Sequence, residues 1–231
     1  MQVRQIIAQL EQWADPRSVE VWKRLGLSTR EEYVYHGVAI TRLKQLAKQL
    51  GNSHELSFQL WHSKVRDAMM LATLLDEPSK VTREQLESQV YDLDFWDVSD
   101  KFCSELAVKT PYSRELISLW LTSDDEIVRR CAYMMIKDEA KKVQGAGHLA
   151  FFLPHLRLIR ETIHQEQNWV KEGMLYALIA IGSINLVLNQ LAVRVAREIG
   201  KVKVEYGESP CEAPDALRHL TSERLQAKLK Q

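Results

Sequence analysis

Cysteines and long apolar runs are scarce in this sequence. Its three cysteines, Cys103, Cys131 and Cys211, lie far apart and form no C-x-x-C spacing. An odd number of widely spaced cysteines argues against a disulfide framework and against a zinc site. No segment approaches the roughly 20 consecutive apolar residues of a membrane-spanning helix, and no early stretch looks like a signal peptide. We therefore expect a cytoplasmic protein that is not anchored to a membrane.

An excess of either sign of charge is also missing. The 31 Lys and Arg residues balance the 31 Asp and Glu residues, so the formal net charge at pH 7 is zero. This counts against DNA binding unless the charges are sorted by face. Two stretches are locally basic, and they contain Arg129, Arg130, Lys137, Lys141 and Lys142 in one and Arg194, Arg197, Lys201 and Lys203 in the other. Such groups bind DNA backbones; the alternative is a solvated face with offsetting acids.

Common catalytic signatures are absent as well. The sequence has no glycine-rich phosphate loop, H-E-x-x-H, G-x-S-x-G or EF-hand loop. Three of its seven histidines, His148, His155 and His164, share one region but have no recognisable metal-ligand spacing. We expect neither a metal ion nor a cofactor.

Helical patterns, in contrast, run along almost the whole chain. The i, i+3, i+4, i+7 spacing of apolar residues predicts amphipathic helices around Val3–Leu10, Leu43–Leu50 and Leu116–Trp120. Thr82 and the S/T-x-x-E sequences at Ser28 and Ser123 predict helix starts. Prolines 78, 111 and 154 fall near expected joints between helices.

These patterns predict an all-α protein made of antiparallel helix pairs stacked side by side in an α-solenoid. The periodicity alone leaves a plain helical bundle open. We interpret residues 1–231 as a single repeat domain. Within it, residues 201–214 alternate briefly and then become turn-rich, which predicts a tail loop followed by a last helix from about Pro214. No heptad seam or long exposed apolar stripe requires a partner, so we expect a monomer.

An aromatic and acidic cluster is the strongest candidate for a functional site. In the segment Asp92–Asp100, Trp96 and Asp100 are four residues apart and share a face if the segment is helical. The structural alternative is that Trp96 fills a gap between helices, while Asp97 or Asp100 sits favourably at a helix N-terminus. This spacing alone does not decide between the two.

Several motifs follow one another along most of the chain. Trp-Asp-x-x-Asp at Trp96 is followed about thirty residues later by Arg-Arg-Cys-Ala and then by Val-Lys-Glu-Gly-Met-Leu-Tyr-Ala-Leu. The early Tyr35–Leu43 segment and Leu60-Trp-His-Ser precede them. Each motif is modest, but their order resembles that of the DNA alkylation repair family of AlkD-like glycosylases with HEAT-like repeats.

The resemblance implies a HEAT-like α-solenoid that binds duplex DNA and excises cationic N3- and N7-alkylpurines. Asp100 falls where the family has its catalytic carboxylate, Trp96 where it has an aromatic residue beside the lesion, and Arg130 where it has a DNA-contacting arginine. Arg130 is preferred over Arg129 only because of its place before Cys131-Ala132. Tyr176 stands in the place of a second family tryptophan, and Lys171 lies next to a position where the family carries a basic residue.

Two departures from the family pattern keep a second function open. Ile179 occupies the place of a frequent family arginine, and Glu172 occupies that of the basic residue. The first hypothesis is a monofunctional DNA glycosylase whose partner is double-stranded DNA with alkylated purines. The second is a non-catalytic helical scaffold that binds DNA structure or a protein partner. Trp96 and Asp100 favour the enzyme, whereas Tyr176, Ile179 and the neutral charge favour the scaffold.

Overall fold

The chain folds into helices in a computed structural model that describes residues 2–27, 29–143 and 148–230. It is 67% helical, and the described residues form no strand. No helix among them combines the length and the apolar character that crossing a membrane requires. The described residues form fourteen α-helices: α1 Val3–Gln12, α2 Pro16–Arg24, α3 Ile40–Leu50, α4 His54–Trp61, α5 Arg66–Leu75, α6 Arg83–Val90, α7 Trp96–Lys101, α8 Ser113–Trp120, α9 Glu126–Lys142, α10 Leu149–Thr162, α11 Asn168–Ile181, α12 Leu186–Ile199, α13 Ala216–Leu220 and α14 Glu223–Leu229.

The helices group into two compact units. Unit 1 comprises Met1–Ser113 together with Tyr206–Pro210, and unit 2 comprises Arg114–Glu205 together with Cys211–Gln231. Within unit 1, α5 packs against α3, α4 and α7. Within unit 2, α9 packs along α11, α10 packs along α12, and α11 also contacts α13. Most of these contacts join helices that are two apart in the chain, which is typical of stacked helical pairs. The interpretation of residues 1–231 as one domain stays a prediction.

The central helix of each unit is buried on nearly all sides. In α5 every residue from Arg66 to Thr73 is buried, and in α9 the same holds from Arg130 to Ile136. A helix that is packed on several faces must also bury its charged residues, and these are stable only with partners. Arg66 and Arg130 are each less than 3% exposed, so both require acidic partners inside the protein.

The helix starts confirm the predicted caps only in part. The Thr82 hydroxyl accepts a hydrogen bond from the backbone N–H of Gln85 at 3.1 Å, so the predicted cap of α6 is confirmed. The predicted start at Ser123 is displaced by two residues, because the Asp125 carboxylate caps α9 and accepts hydrogen bonds from the backbone N–H groups of Ile127 and Val128. Ser28 lies outside the described residues, and the residues 29–39 that follow it form no helix.

Two predictions about helix ends need correction. Pro154 lies inside α10 rather than at a joint. The carbonyl of Ala150, four residues earlier, loses its helix donor, but both residues are exposed, so water can bind that carbonyl. The tail loop extends to Asp215, which caps α13, and a second short helix, α14, follows it. The tail thus ends in two short helices instead of one.

Candidate functional site

The two residues expected nearest the reaction lie on one short helix of unit 1. Trp96 and Asp100 are the first and fifth residues of α7 and share one face. Both side chains are partly exposed, whereas Val98 and Ser99 are buried. α7 runs directly into a π-helical turn at Phe102–Leu106, a distortion that often accompanies functional sites. The helix therefore holds Trp96 and Asp100 at the surface of unit 1.

The start of α7 is held by a buried arginine of α5. Arg66 is 2% exposed. Its Nε donates to Asp94 Oδ1 at 3.3 Å, and its Nη1 donates to Asp97 Oδ2 at 3.1 Å while Nη2 donates to Asp97 Oδ1. The guanidinium carbon also lies 4.8 Å from the ring centroid of Trp22 and 5.9 Å from that of Tyr35. We call these five residues the Arg66 clamp; it fixes the segment that leads into α7.

A short backbone bridge brings the clamp residues together. Val34 and Val65 form an isolated parallel bridge, in which the N–H of Arg66 donates to the Val34 carbonyl at 2.9 Å. This places Tyr35 beside Arg66, and the Tyr35 hydroxyl donates to Asp94 Oδ2 at 2.7 Å. Burial, reinforced by the Asp94 carboxylate, raises the pKa of Tyr35 to about 12. The hydroxyl therefore stays protonated and remains a donor at neutral pH.

A second carboxylate anchors the same segment. Trp61 Nε1 donates to Asp92 Oδ2 at 2.7 Å, and the Tyr33 hydroxyl donates to Asp92 Oδ1 at 3.3 Å. Lys64 Nζ lies 3.6 Å from Asp92 Oδ1 and 4.9 Å from the Tyr33 ring centroid. Burial, followed by the Asp92 charge, raises the pKa of Tyr33. The aspartates before α7 are therefore hydrogen-bonded supports, and the position of Trp96 depends on them.

In unit 2 both candidate arginines of α9 are paired with acids. Arg130 is 1% exposed, and its Nη2 and Nε lie 2.8 and 3.2 Å from Glu172 Oε2 on α11. Arg129 Nε donates to Glu166 Oε2 at 3.1 Å, and its Nη2 donates to Gln167 at 2.8 Å. The Arg130 guanidinium is thus enclosed by protein. The resemblance implies an open phosphate contact for Arg130, whereas the structure pairs its guanidinium with the buried Glu172.

The other two candidates lie on α11. Tyr176 is 36% exposed, so its ring remains accessible. Lys171 is half-buried and forms no ion pair among the described residues. Ile179, one turn after Tyr176, is half-buried and adds no charge there. The two candidates on α11 are therefore one aromatic residue and one cation.

The structure distributes the six candidates over the two units. Trp96 and Asp100 belong to unit 1 and share α7, whereas Arg129, Arg130, Lys171 and Tyr176 belong to unit 2 on the packed helices α9 and α11. Sequence reasoning missed Arg66 and the pairing of Glu172. Arg66-Asp67 at the start of an otherwise apolar helix was the available signal, because buried charges require partners. Among the described residues, no three His, Cys, Asp or Glu side chains are grouped so as to hold a metal ion.

A solved structure shares the fold of this chain, and a family model matches most of its length. A structure from a family related to the HEAT-like repeat DNA glycosylases, described as having affinity for branched DNA structures, matches with a TM-score of 0.85 and 19% identity over 99% of this chain and 96% of the other. This confirms the predicted all-α, HEAT-like fold. The family model described as DNA alkylation repair enzyme matches residues 6–220. The chain therefore belongs to the DNA alkylation repair enzyme family.

Two relatives of similar length are proteins of the genus Listeria. An uncharacterized protein of Listeria innocua is 23% identical over 223 residues, which are 95% of this chain and 96% of that protein. An uncharacterized protein of Listeria monocytogenes is 23% identical over 227 residues, which are 97% of this chain and 98% of that protein. Both alignments extend over nearly the whole of each chain.

Proposed function

We propose that this protein is a monofunctional DNA glycosylase that excises cationic N3- and N7-alkylpurines from duplex DNA. The observation that carries the proposal is the arrangement on α7, where Trp96 and Asp100 share a partly exposed face. The Arg66 clamp holds the start of that helix in one position, as a reacting group requires. The proposed enzyme acts as a monomer in the cytoplasm and needs no cofactor.

The chemistry of the lesion explains why one carboxylate suffices. Alkylation at N3 or N7 gives the purine a positive charge and makes it a good leaving group, so the enzyme need not protonate the base. Positive character develops on the sugar as the N-glycosyl bond breaks. The Asp100 carboxylate stabilises that charge and orients the attacking water, as carboxylates do in glycoside hydrolysis.

Recognition of the charged base is assigned to the aromatic residues. An electron-rich ring face attracts a cation by roughly 0.5–2 kcal/mol. Trp96 is partly exposed next to Asp100 on α7, and Tyr176 is 36% exposed on α11. We assign the Trp96 ring, one helical turn from Asp100, to the alkylated purine, and we assign Tyr176 to the lesion-bearing DNA.

The three basic candidates take different roles in this proposal. Lys171, which forms no ion pair within the described part of the chain, is assigned to a DNA phosphate. Arg129 forms an ion pair with Glu166, and Arg130 forms one with Glu172. We therefore propose that Arg130 acts as a positioning residue that holds α11, and hence Tyr176, against α9.

A non-catalytic scaffold that binds DNA structure is the second candidate. The buried Arg130–Glu172 pair favours it, because the arginine assigned to DNA contact is enclosed. The solved neighbour, described as having affinity for branched DNA structures, suggests the kind of DNA that such a scaffold would bind. Ile179 offers no charge to a DNA phosphate, and a net charge of zero gives no overall attraction to DNA. Both features therefore favour the scaffold.

The decisive experiment measures release of N3-methyladenine and N7-methylguanine from methylated duplex DNA. We expect release by the wild type and a loss of about 100-fold or more in Asp100→Asn, because removing one electrostatic group in an active site typically costs that much. Asp124→Asn, at an exposed position before α9, is the matched control and should retain activity. No release by folded wild type, combined with tighter binding to a four-way junction than to linear duplex of the same sequence, would favour the scaffold.

A further inference from the structure

The two basic stretches of unit 2 differ in how their charges are paired. In α9, Lys141 Nζ lies 2.7 Å and Lys137 Nζ lies 3.7 Å from Asp138 Oδ1. Lys142 Nζ lies 2.8 Å from Glu139 Oε1. Each lysine of this stretch therefore has an acidic partner three residues away or less. An anion that approaches α9 meets charges that are already partly neutralised.

The stretch at the end of α12 keeps its charge. Arg194 and Arg197 are exposed and three residues apart, so they lie on one face of the helix. Lys201 is exposed just after Gly200, which ends α12 with a φ of 61°. In the described part of the chain, none of these three residues, which we call the α12 cations, forms an ion pair.

The two acids next to the α12 cations in the sequence, Glu198 and Glu205, are paired with other residues. Glu198 Oε2 lies 3.8 Å from Arg160 Nε, and Glu205 Oε1 lies 2.5 Å from Lys203 Nζ. Arg197 in the last turn also offsets the partial negative charge of the helix C-terminus. Because the backbone at this end of the helix is partly negative, the positive charge of this surface comes only from its side chains.

A cleft of about 550 Å³ adjoins two of these cations. Its apolar wall includes Leu175, Ala196, Val202 and Val204, and Arg197 and Lys201 also line it. Along residues 201–204 the valines are buried and the lysines are exposed, because an extended segment alternates its side chains. The remaining lining comes from Lys203 and from Gly200 and residues 211–217, and we call the whole the tail cleft.

Acidic residues also line the tail cleft, so its lining carries charges of both signs. Glu212 and Asp215 belong to its lining. The Asp215 carboxylate accepts a hydrogen bond from the N–H of Arg218 at 2.9 Å and caps α13. Arg197 and Lys201 therefore supply positive charge to the lining on the side where α12 ends.

We propose that the α12 cations form a binding site for the phosphodiester backbone of DNA, with the tail cleft beside it. This inference rests on the proposed DNA-directed function and adds a site for it outside α7, α9 and α11. Arginine and lysine supply most sequence-independent affinity for DNA by displacing counterions. Unpaired cations do this without first breaking an ion pair, which gives the α12 cations the advantage over the lysines of α9.

The test compares two triple variants that remove the same charge from unit 2. Arg194→Gln/Arg197→Gln/Lys201→Gln removes the α12 cations. The control, Lys141→Gln/Lys142→Gln/Arg157→Gln, removes three residues of comparable exposure whose charges are paired with Asp138, Glu139 and Glu161. The dissociation constant for a labelled linear duplex is measured by fluorescence anisotropy at several KCl concentrations.

The α12 variant should bind at least about tenfold more weakly than wild type at low salt. The slope of log Kd against log salt should fall by about 2 to 3, since each lost phosphate contact on B-DNA contributes about 0.9. The control should stay within about threefold of wild type with nearly the same slope. Far-UV circular dichroism should show both variants folded, because all six positions are exposed.

Equal weakening in both variants, or wild-type affinity in the α12 variant, would overturn this inference while leaving DNA binding intact. Failure of the wild type to bind any DNA would overturn the proposed function as well. The exposed Cys211 gives a second readout, because it lines the tail cleft while Cys103 and Cys131 are buried. A fluorophore attached there should change its emission when duplex saturates the wild type, and no change at saturation would contradict the location.

Discussion

At the residue scale, Arg130 and Glu172 form a buried ion pair in which each charge stabilises the other. Both are at most 5% exposed, and their closest atoms are 2.8 Å apart. Removing one partner leaves an uncompensated buried charge, which typically costs about 3–5 kcal/mol. We expect Arg130→Met and Glu172→Leu each to lower the free energy of unfolding by about that amount, as measured by urea denaturation.

The double variant provides the control. Arg130→Met/Glu172→Leu removes both charges, so its loss of stability should be well below the sum of the two single losses. Additive losses would show that the two residues act independently and that the pair does not hold α11 against α9.

His155 makes stability depend on pH. Burial lowers its pKa from 6.5 to about 4, and its ring makes an edge contact with Phe151 at 5.0 Å. Because the folded pKa lies below the unfolded one, the folded state favours neutral His155, and this stabilisation is present above about pH 6.5 and is lost as the pH falls toward 4. We expect His155→Phe to lose less stability than wild type between pH 7 and pH 4.5, by about 2 kcal/mol.

The measurement is the free energy of unfolding in urea at both pH values. His219→Gln, which removes an exposed histidine of α13, is the control and should keep the wild-type dependence. If His155→Phe and wild type respond equally to pH, the buried imidazole is not the source of the effect.

Ion pairs between residues that are far apart in the sequence could not be predicted from the sequence. The spacing of Trp96 and Asp100 is local, so helical periodicity alone is enough to place them on one face. Arg66 and Asp97 are 31 residues apart, and Arg130 and Glu172 are 42 apart. Whether such residues meet depends on how helices pack, and neither periodicity nor composition contains that information.

At the scale of elements, the Arg66 clamp connects α5 to the start of α7. Arg66→Leu leaves Asp94 and Asp97, whose side chains are 6% and 16% exposed, without their cation. We expect faster amide hydrogen exchange in α7 and a loss of about 3–5 kcal/mol in stability. Arg66→Lys should fall between this variant and wild type, because an ammonium keeps the charge but cannot form the planar fork.

The exchange of α9 provides an internal comparison, since it belongs to unit 2. Faster exchange confined to α7 and its neighbours would support a positioning role for Arg66 toward Trp96. Unchanged protection of α7 in Arg66→Leu would contradict that role, whatever the effect on overall stability.

Gly207 ties part of the tail to unit 1. It has a φ of +61°, and a Cβ there would lie 2.0 Å from the Arg24 carbonyl oxygen, which accepts a hydrogen bond from the N–H of Glu208 at 2.9 Å. Gly207→Ala should therefore break this bond and speed amide exchange at Glu208 by about tenfold or more. Gly200→Ala has the same φ but open space around its Cβ, so it tests backbone strain alone and should leave Glu208 protected.

The elements themselves were largely predictable, with errors at their ends. The apolar spacing in α1 and α3 and the Thr82 cap are local signals, and the structure confirms them. Pro154 was misplaced because α10 continues through the proline on an exposed face, where water can bind the carbonyl that loses its helix donor. The π-helical turn after α7 left no trace in the periodicity, since it shifts the register only over Phe102–Leu106.

At the scale of the whole molecule, a formal net charge of zero constrains how DNA can be bound. A neutral protein gains little from long-range attraction, so its affinity must come from a few local cations such as the α12 cations and Lys171. We therefore expect binding to be strongly salt-dependent despite the neutral charge. With about three to five phosphate contacts, Kd for a linear duplex should rise roughly 40- to 500-fold between 50 and 200 mM KCl.

The same titration separates binding from catalysis when it is repeated with Asp100→Asn. Asp100 is assigned to the sugar rather than to phosphate, so the substitution removes no cation, and the salt slope should stay within error of wild type while base release falls. A changed slope would mean that Asp100 shapes the phosphate contacts. A wild-type Kd that is independent of salt would mean that phosphates do not dominate binding, and the roles given to Lys171 and the α12 cations would then be wrong.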